Sequence, residues 1–323
     1  MYIKRIVKLS ISIMLITLLF SCKNLEKEYK STSLMNNIYL ANSDFFADAT
    51  AEKIVVPGLG NEYSIESIGA ESYFIASTDR AKSNYTKYLN PYKRMPIASL
   101  TKLMTALVVL ENCKDLNEEY YVIEDDVDLE KDVSKANLRS GDKLKVIDLL
   151  YGLLVPSGND AAMCLANNLV DSYDNFVIMM NNEAERIGAV NTHFANPHGL
   201  DSEYHFSTAY DLFLITRELL KYDLFKKIST VSEYSANITS SDGTIRTEKW
   251  QNTNYFATGE LLISDNVTLL AGKTGNTKTA GSCLVLLTKD KLKGDEYISV
   301  VLNAKSKRNS YYNTNALLKP ISN

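Results

Sequence analysis

Three short, apolar and β-branched runs near the C-terminus constrain the fold of this chain more than any other feature. They cover residues 268–273, 282–288 and 297–303, and glycine-containing turns separate them. This spacing predicts an antiparallel meander. Because the runs are almost continuously hydrophobic, we expect both faces of their sheet to be covered by other parts of the protein.

Helices are predicted for the middle of the chain, with strands on either side of them. The helical segments are residues 98–112, 146–154, 160–169, 175–188 and 208–222, and a last one follows at 311–318. A strand is predicted at residues 72–77, with a shorter strand ending at Tyr88. This order predicts one α+β domain, in which a central antiparallel sheet joins the two ends of the chain and packs against the helices.

The first residues have the pattern of an export signal. Lys4, Arg5 and Lys8 precede an apolar stretch at 9–20, which is too short to span a bilayer comfortably. The sequence Leu-Phe-Ser-Cys that ends at Cys22 resembles a bacterial lipobox. We therefore expect residues 1–21 to be a lipoprotein signal peptide and Cys22 to carry the lipid. An ordinary signal with a chance cysteine and an uncleaved anchor are the alternatives.

Polar residues then lead to the folded part. We expect residues 22–61 to be a tether and 62–323 to be a domain on the extracytoplasmic side of a membrane of the cell envelope. The net charge of −4 argues against nucleic-acid binding. Cys113, Cys164 and Cys283 are odd in number and lie in apolar stretches, so they predict buried free thiols, and no cysteine pattern indicates zinc.

Ser99 and Lys102 stand three residues apart at the start of the first long helix. On a helix this spacing puts the ammonium within reach of the hydroxyl, and a lysine with a lowered pKa can activate a serine nucleophile. Taken alone, the pair is better explained by a capping serine beside an exposed lysine.

Two further motifs offer groups suited to the same chemistry. Ser-Gly-Asn at 157–159 follows a helix stop at Pro156 and supplies a hydroxyl and an amide, although a turn with an N-cap explains it as well. Lys-Thr-Gly at 273–275 ends a predicted strand, whose edge could pair with an extended peptide. Together with S-x-x-K, these motifs form the signature set of penicillin-binding proteins and class A β-lactamases.

Longer segments resemble the D-alanyl-D-alanine carboxypeptidases. Residues 96–106 are similar to that family's PASLTKxMTA run, and 149–162 to its LLxGLLxxSGNDAA run. Residues 194–211 resemble the segment FxNPHGLD followed by STAxD, and 273–281 match KTGxTxxAG. The likeness covers about residues 62 to 320, with the segments in the family's order.

This resemblance implies a serine β-lactamase/transpeptidase-like fold, with the active site between the sheet and a helical subdomain. Ser99 would attack the bond between two terminal D-alanines of a peptidoglycan stem peptide and form an acyl-enzyme, which β-lactams would trap as inhibitors. Lys102 would be the general base, Ser157 and Lys273 would move protons and position the substrate, and Asn159 would hold the substrate amide. No metal or organic cofactor is implied.

The resemblance also implies a set of substrate-binding residues. These are Thr274, Gly275, Asn276, Thr277 and Lys305. Backbone N–H groups of Ser99 and Asn276 would form the oxyanion hole. Many relatives bind the substrate carboxylate with an arginine after the last strand, where this chain has Lys305, with Arg308 nearby. Many also add a C-terminal β domain, which we do not expect here because the chain ends at Asn323.

Other functions stay open at this point. Single-domain relatives include D,D-endopeptidases that cut cross-links. A β-lactamase would carry a general-base carboxylate in an E-x-x-L-N pattern, which this chain lacks, and a non-catalytic sensor of β-lactams or muropeptides could retain Ser99 and Lys102. The acidic residues that follow the Ser-Gly-Asn motif are expected on mostly solvated faces. They are Asp160, Asp171, Asp174, Glu183 and Glu185.

The three histidines of the chain lie in one window and suggest a metal site. They are His193, His198 and His205, and their gaps of five and seven do not share a helical face. No H-E-x-x-H motif accompanies them, so we expect no metal here. We expect His198 to order its loop by bonding Asp211.

Overall fold

The computed structural model describes residues 68–79, 85–170 and 172–322. The expected signal peptide at 1–21, the lipidated Cys22 and the tether at 22–61 lie outside these residues, and so does Asp171. Among the described residues, no helix has the length and apolar character needed to cross a membrane.

A five-stranded antiparallel sheet of order β2-β1-β9-β8-β7 forms the centre of the fold. The strands of the molecule are β1 (Ala70–Ser77), β2 (Thr86–Leu89), β3 (Glu119–Tyr121), β4 (Lys143–Lys145), β5 (Glu233–Thr239), β6 (Ile245–Gln251), β7 (Val267–Thr277), β8 (Gly281–Asp290) and β9 (Glu296–Ala304). Strand β1 pairs with β9, which confirms that the sheet joins the two ends of the domain. Strand β7 is at the edge, so one of its sides is free to face the site.

Helices cover this sheet and form a subdomain beside it. They are α1 (Lys102–Asn112), α2 (Glu124–Val127), α3 (Val146–Leu154), α4 (Asn159–Leu169), α5 (Tyr173–Arg186), α6 (Ala209–Leu219), α7 (Asp223–Thr230), α8 (Tyr255–Thr258) and α9 (Lys307–Leu318), with 3-10 turns at Ala98–Thr101 and Lys319–Ser322. The predicted helices are all present: α3 has the expected bounds, and no end of the others is shifted by more than four residues. One of the four-residue shifts is at α9, which begins earlier than expected because Ser306 caps it by accepting from Asn309 N–H.

The predicted covering of both sheet faces is confirmed, and the alternation of side chains along a strand explains it. In β1, Tyr73 and Ile75 point to one face and join the cluster that contains Leu317 of α9. Phe74 points to the other face and meets Phe213 of α6 edge to face, at 5.0 Å between ring centroids. Each such buried side chain contributes about 1.5–3 kcal/mol, so these contacts hold both layers on the sheet.

A second antiparallel sheet, of order β3-β4-β5-β6, was not predicted. Its main part is the β5–β6 hairpin, in which Tyr234 stands opposite Trp250. Strand β6 has the charged Arg246 and Glu248 at half-buried positions and the apolar Ile245 at an exposed one, so its sequence lacks the hydrophobic run or strict apolar/polar alternation that marks a strand. Trp250 Nε1 donates to the carbonyl oxygen of Ala136 at 2.8 Å, which ties the hairpin to the loop at residues 128–142.

Candidate active site

The turn at Ala98–Thr101 brings the first predicted pair together. Ser99 is half-buried, and its Oγ lies 3.0 Å from Nζ of Lys102, the first residue of α1. Ala98 has a φ of 49°, in the left-handed region that residues with a Cβ avoid. The predicted helix at 98–112 therefore starts as a 3-10 turn whose first residue is strained.

Lys102 is fully buried and contacts three oxygen atoms. Its Nζ lies 2.7 Å from Asn159 Oδ1 and 2.7 Å from the carbonyl oxygen of His198, besides Ser99 Oγ. Burial, followed by the charge of Lys273, holds the pKa of Lys102 well below its usual range. In its neutral form, the Lys102 amine has two hydrogens and one lone pair, and the two carbonyl-type oxygens can only accept. The lone pair is therefore left for the hydroxyl hydrogen of Ser99.

A second serine–lysine pair comes from the other two motifs. Lys273 Nζ donates to Ser157 Oγ at 2.8 Å and to the carbonyl oxygen of Thr274 at 2.9 Å. Burial, with a smaller effect of the charge on Lys307, lowers the pKa of Lys273 to about 7. Ser157 has a φ of 64°, a second left-handed residue of the kind that clusters at functional sites. The two motifs are 116 residues apart in the chain and meet in the fold.

Strand β7 lies against the nucleophile turn. A Cβ added to Gly275 would lie 2.8 Å from the carbonyl oxygen of Ile97, so only glycine allows this approach. Thr274 Oγ1 is 2.7 Å from Thr253 Oγ1, and Thr277 Oγ1 donates to Asp201 Oδ1 at 2.8 Å. The exposed side chain of Asn276 accepts from Ser282 Oγ at 2.9 Å. These predicted substrate-binding residues thus stand on one strand next to Ser99.

Asp160 holds the loop that adjoins the Ser-Gly-Asn motif. It is buried and accepts from three backbone N–H groups, those of Ala136 at 2.7 Å, Leu138 at 3.0 Å and Ala161 at 2.9 Å. The expectation that Asp160 is solvated is therefore wrong, and so is that for Glu183, which is 8% exposed.

The cation whose charge lowers the pKa of Lys273 is not the one expected to bind the substrate carboxylate. Lys305 and Arg308 are exposed at the end of β9 and the start of α9. Lys307 is half-buried, its Nζ lies 3.8 Å from the centroid of the Tyr255 ring, and its charge lowers the pKa of Lys273. No sequence signal distinguishes Lys307 from its neighbours, because a helix start and a ring from a distant segment orient it.

The histidines bind within the protein rather than to one another. His198 Nδ1 accepts from Leu200 N–H at 3.1 Å. Asp211 instead accepts from Thr192 Oγ1 at 2.7 Å and from Asn191 N–H at 2.8 Å, so the expected bond between His198 and Asp211 is wrong.

The cysteines and one cluster of acidic residues lie outside the candidate active site. Cys113, Cys164 and Cys283 are free thiols, as expected, although Cys113 is only half-buried. Away from these residues, the carboxylates of Glu111, Glu183 and Glu218 have oxygens within 4.8 Å of one another, a spacing that could suit a metal ion. The guanidinium of Arg186 contacts all three, at 2.5 to 3.1 Å, and occupies this position.

Comparison with known proteins identifies the family of the chain. A family model described as D-alanyl-D-alanine carboxypeptidase matches residues 60–306. D-alanyl-D-alanine carboxypeptidase DacF of Bacillus subtilis is 34% identical over 169 residues, 51% of this chain and 42% of DacF. A D-alanyl-D-alanine endopeptidase of Escherichia coli is 34% identical over 222 residues, 68% of this chain and 67% of that protein.

A solved structure gives the same result for the fold. The crystal structure of the Streptomyces K15 DD-transpeptidase matches with a TM-score of 0.70 and 28% identity, over 80% of this chain and 97% of that one. The chain spans 97% of that protein but less than half of DacF. The predicted α+β fold of the β-lactamase/transpeptidase type is confirmed. The chain belongs to the D-alanyl-D-alanine carboxypeptidase family.

Proposed function

We propose that the protein is a serine D,D-peptidase that removes the terminal D-alanine from peptidoglycan stem peptides through an acyl-enzyme on Ser99. The observation that carries this proposal is the environment of Lys102. Its Nζ lies within hydrogen-bond distance of Ser99 Oγ, Asn159 Oδ1 and the carbonyl oxygen of His198. In the neutral form of the amine, two N–H groups would serve the two carbonyl-type acceptors and the lone pair would face the Ser99 hydroxyl. A buried, neutral amine in this position is a general base.

The steps follow from these groups. Lys102 takes the proton of Ser99 as Oγ attacks the carbonyl carbon between the two D-alanines. Backbone N–H groups of Ser99 and Asn276 would stabilise the oxyanion, an effect usually worth about 3–4 kcal/mol. The bond to the terminal D-alanine then breaks, and its nitrogen receives the proton that Lys102 took from Ser99, either directly or through the Ser157–Lys273 pair. Water finally attacks the ester, and Ser99 recovers its proton.

A carboxypeptidase must also recognise a free C-terminal carboxylate. Lys273 and Thr274 on β7 and Lys307 on α9 supply a cationic, hydrogen-bonding end to the cleft. We assign the carboxylate to this group and include Lys307 in place of Lys305, since Lys305 is exposed. Asn159 Oδ1 is occupied by Lys102, which leaves the Nδ2 group of Asn159 to donate to a substrate carbonyl.

A second candidate activity is that of a D,D-endopeptidase. The relative from Escherichia coli that carries this name shares 34% identity and is covered for two thirds of its length. Hydrolysis of a free pentapeptide and of a cross-linked peptide dimer, measured side by side, separates the two activities. Cleavage of the dimer without release of D-alanine from the pentapeptide would assign the endopeptidase.

Covalent labelling tests the nucleophile. Fluorescent penicillin should label the protein, and Ser99→Ala should abolish the label while circular dichroism shows an unchanged fold. Label that persists in this variant would contradict the assignment of Ser99. A labelled protein without any turnover of D-Ala-D-Ala peptides would instead be a sensor.

The lifetime of the penicilloyl adduct separates a peptidase from a β-lactamase. We expect the adduct to persist for minutes or longer, since the opened β-lactam stays tethered and blocks the approach of water. Turnover of the peptide should proceed at about 1 s⁻¹ or above. Mass spectrometry after removal of free drug measures this lifetime, and loss of the adduct within seconds would assign a β-lactamase.

We also propose that the protein acts outside the cytoplasm, held to a membrane by a lipid on Cys22. The basic, apolar and cysteine-terminated pattern of the first 22 residues supports this location. Cys22→Ser should move the protein from the membrane fraction to a soluble or signal-uncleaved form. An N-terminal peptide of the wild type without lipid mass would contradict the anchor.

A further inference from the structure

His205 contacts the nucleophile turn from within the protein. It is 3% exposed, and its Nε2 lies 2.6 Å from Thr101 Oγ1. Thr101 Oγ1 lies 2.8 Å from the carbonyl oxygen of Ala98, the residue before Ser99. On the other side of the imidazole, the backbone N–H of Ala195 points at Nδ1 from 3.0 Å. No step of the proposed mechanism uses this histidine.

The partners of the ring determine its tautomer and the direction of every bond. The N–H of Ala195 can only donate, so Nδ1 of His205 accepts and carries no hydrogen. In a neutral imidazole the hydrogen is then on Nε2, which donates to Thr101 Oγ1. The hydroxyl hydrogen of Thr101 is directed at the carbonyl of Ala98, which can only accept. Burial is the main cause that lowers the pKa of His205 to about 4, so the ring is neutral near pH 7.

This chain of hydrogen bonds ends at the strained residue of the site. Ala98 has a left-handed φ of 49°, a conformation that costs about 1–3 kcal/mol and needs support from its surroundings. Its carbonyl oxygen is enclosed on another side by Gly199, where an added Cβ would lie 2.1 Å from that oxygen. The Ala98 carbonyl therefore accepts a hydrogen bond from the Thr101 hydroxyl on one side and packs against the backbone of Gly199 on the other.

We propose that His205 is a positioning residue for the nucleophile. Through Thr101 it holds the Ala98 carbonyl, and with it the left-handed backbone that places Ser99 beside Lys102. The inference rests on the proposed function, because it requires Ser99 to be the nucleophile. Without the chain of bonds, Ala98 can relax toward a favoured conformation and shift Ser99, and a misplacement of about 1 Å can cost about 10²-fold in rate.

The rate of acylation by fluorescent penicillin, measured on the full chain, tests the inference. His205→Leu removes both ring bonds and should slow acylation about 10- to 100-fold. His205→Gln should keep most of the rate, since an amide oxygen can accept from Ala195 and its NH₂ can donate to Thr101. Thr101→Val should match His205→Leu, whereas Thr101→Ser should stay close to wild type. The double variant should be no slower than Thr101→Val, because both changes break the same chain.

Matched readouts separate positioning from a loss of folding. With a D-Ala-D-Ala peptide, His205→Leu should lower kcat and leave KM within about twofold, because the affected group is the nucleophile. His193→Leu is the control, since His193 is exposed in the same segment, and its rate should not change. If His205→Leu does not fold, the comparison of Thr101→Val with Thr101→Ser decides.

The outcomes differ from those of the proposed function. Wild-type protein that is not acylated at all would refute the function of Ser99. Wild-type acylation together with an unchanged rate in folded His205→Leu or Thr101→Val would refute the role of His205. So would a His205→Gln variant that folds but is as slow as His205→Leu. Two-bond ¹H–¹⁵N spectra of the wild type should show the Nε2–H tautomer at pH 7, and the Nδ1–H tautomer would also overturn the inference.

Discussion

The active-site cleft, which contains Ser99, Lys102, Ser157 and Lys273, and the helical face around Arg186 place their cations in opposite environments. In the cleft, Lys102 and Lys273 are fully buried, and the oxygens that they contact belong to hydroxyl, amide and carbonyl groups. Around Arg186, whose side chain is 52% exposed, one guanidinium contacts the carboxylates of Glu111, Glu183 and Glu218. Lys221 adds a second cation to Glu218.

This difference shows which electrostatic arrangement serves reaction and which serves stability. A lysine buried among neutral groups loses its proton readily, which makes it a base and costs folding free energy. An arginine among carboxylates keeps its proton and joins the helices α1, α5 and α6 that carry them. The following changes should therefore affect activity in the first region and stability in the second.

The largest effect is expected for Lys102→Met. The variant loses the only group placed to take the Ser99 proton among the residues described around that hydroxyl, so acylation by penicillin should fall by about 10²-fold or more. The variant should still fold, because the thioether fills the space of the lysine stem. Stopped-flow labelling measures the rate. Retention of most of the rate would move the base to Ser157 or Lys273.

Lys273→Met tests the cost of a buried lysine through its pH dependence. The folded-state pKa is lowered to about 7 from an unfolded value of 10.5, so the unfolded state binds more protons between these pH values. The stability of the wild type relative to the variant should therefore rise with pH across this window, by roughly 3–5 kcal/mol in total. Below about pH 7 the full cost of the charged lysine is present.

Urea unfolding of both proteins from pH 6 to pH 10.5 measures this difference. Lys291→Met is a suitable control because its side chain is exposed, and its stability difference should be nearly constant over the same range. A constant difference for Lys273→Met as well would show that Lys273 is charged in the folded protein at high pH.

Arg186→Leu should lower the stability of the protein and leave its activity unchanged. Removal of the guanidinium leaves three neighbouring carboxylates, one of them buried, without their shared cation. We expect a loss of about 1–2 kcal/mol in unfolding free energy, less than for a fully buried pair because half of the side chain is exposed. Acylation of Ser99 should be unchanged. Arg139→Leu, at an exposed position, should change neither quantity by more than about 0.5 kcal/mol.

The smallest effect is expected at the edge of the cleft. Lys307→Ala removes the cation above the Tyr255 ring and should raise KM for D-Ala-D-Ala peptides about three- to tenfold, the value of one partly exposed charge contact. Lys305→Ala should leave KM within error. Equal effects of the two variants on KM, or a larger effect for Lys305→Ala, would show that Lys305 helps to bind the substrate carboxylate, as the family resemblance implied.

Much of this protein could be predicted from local patterns. The helical segments and the apolar runs of β7, β8 and β9 are local signals, because the period of a helix or strand can be recognised within a short stretch of sequence. The pairing of β1 with β9 followed from the order of elements. The β5–β6 hairpin was not predicted, since β6 has charged residues at half-buried positions and an apolar residue at an exposed one, which hides the alternation. Ser99 and Lys102 could be paired because three residues on one turn of helix face the same side.

Other features depend on contacts between distant segments. The Ser157–Lys273 pair could be expected only from the resemblance to a family, because 116 residues separate its members. No sequence signal indicated three further features: the burial of Asp160, the position of Lys307 over the Tyr255 ring, and the hydrogen bond from His205 to Thr101. The sequence by itself determined the helices, the strands of the central sheet and which side chains bring hydroxyl, amine and amide groups. Only the tertiary structure decided their burial, and burial sets whether a lysine is a base or a surface charge.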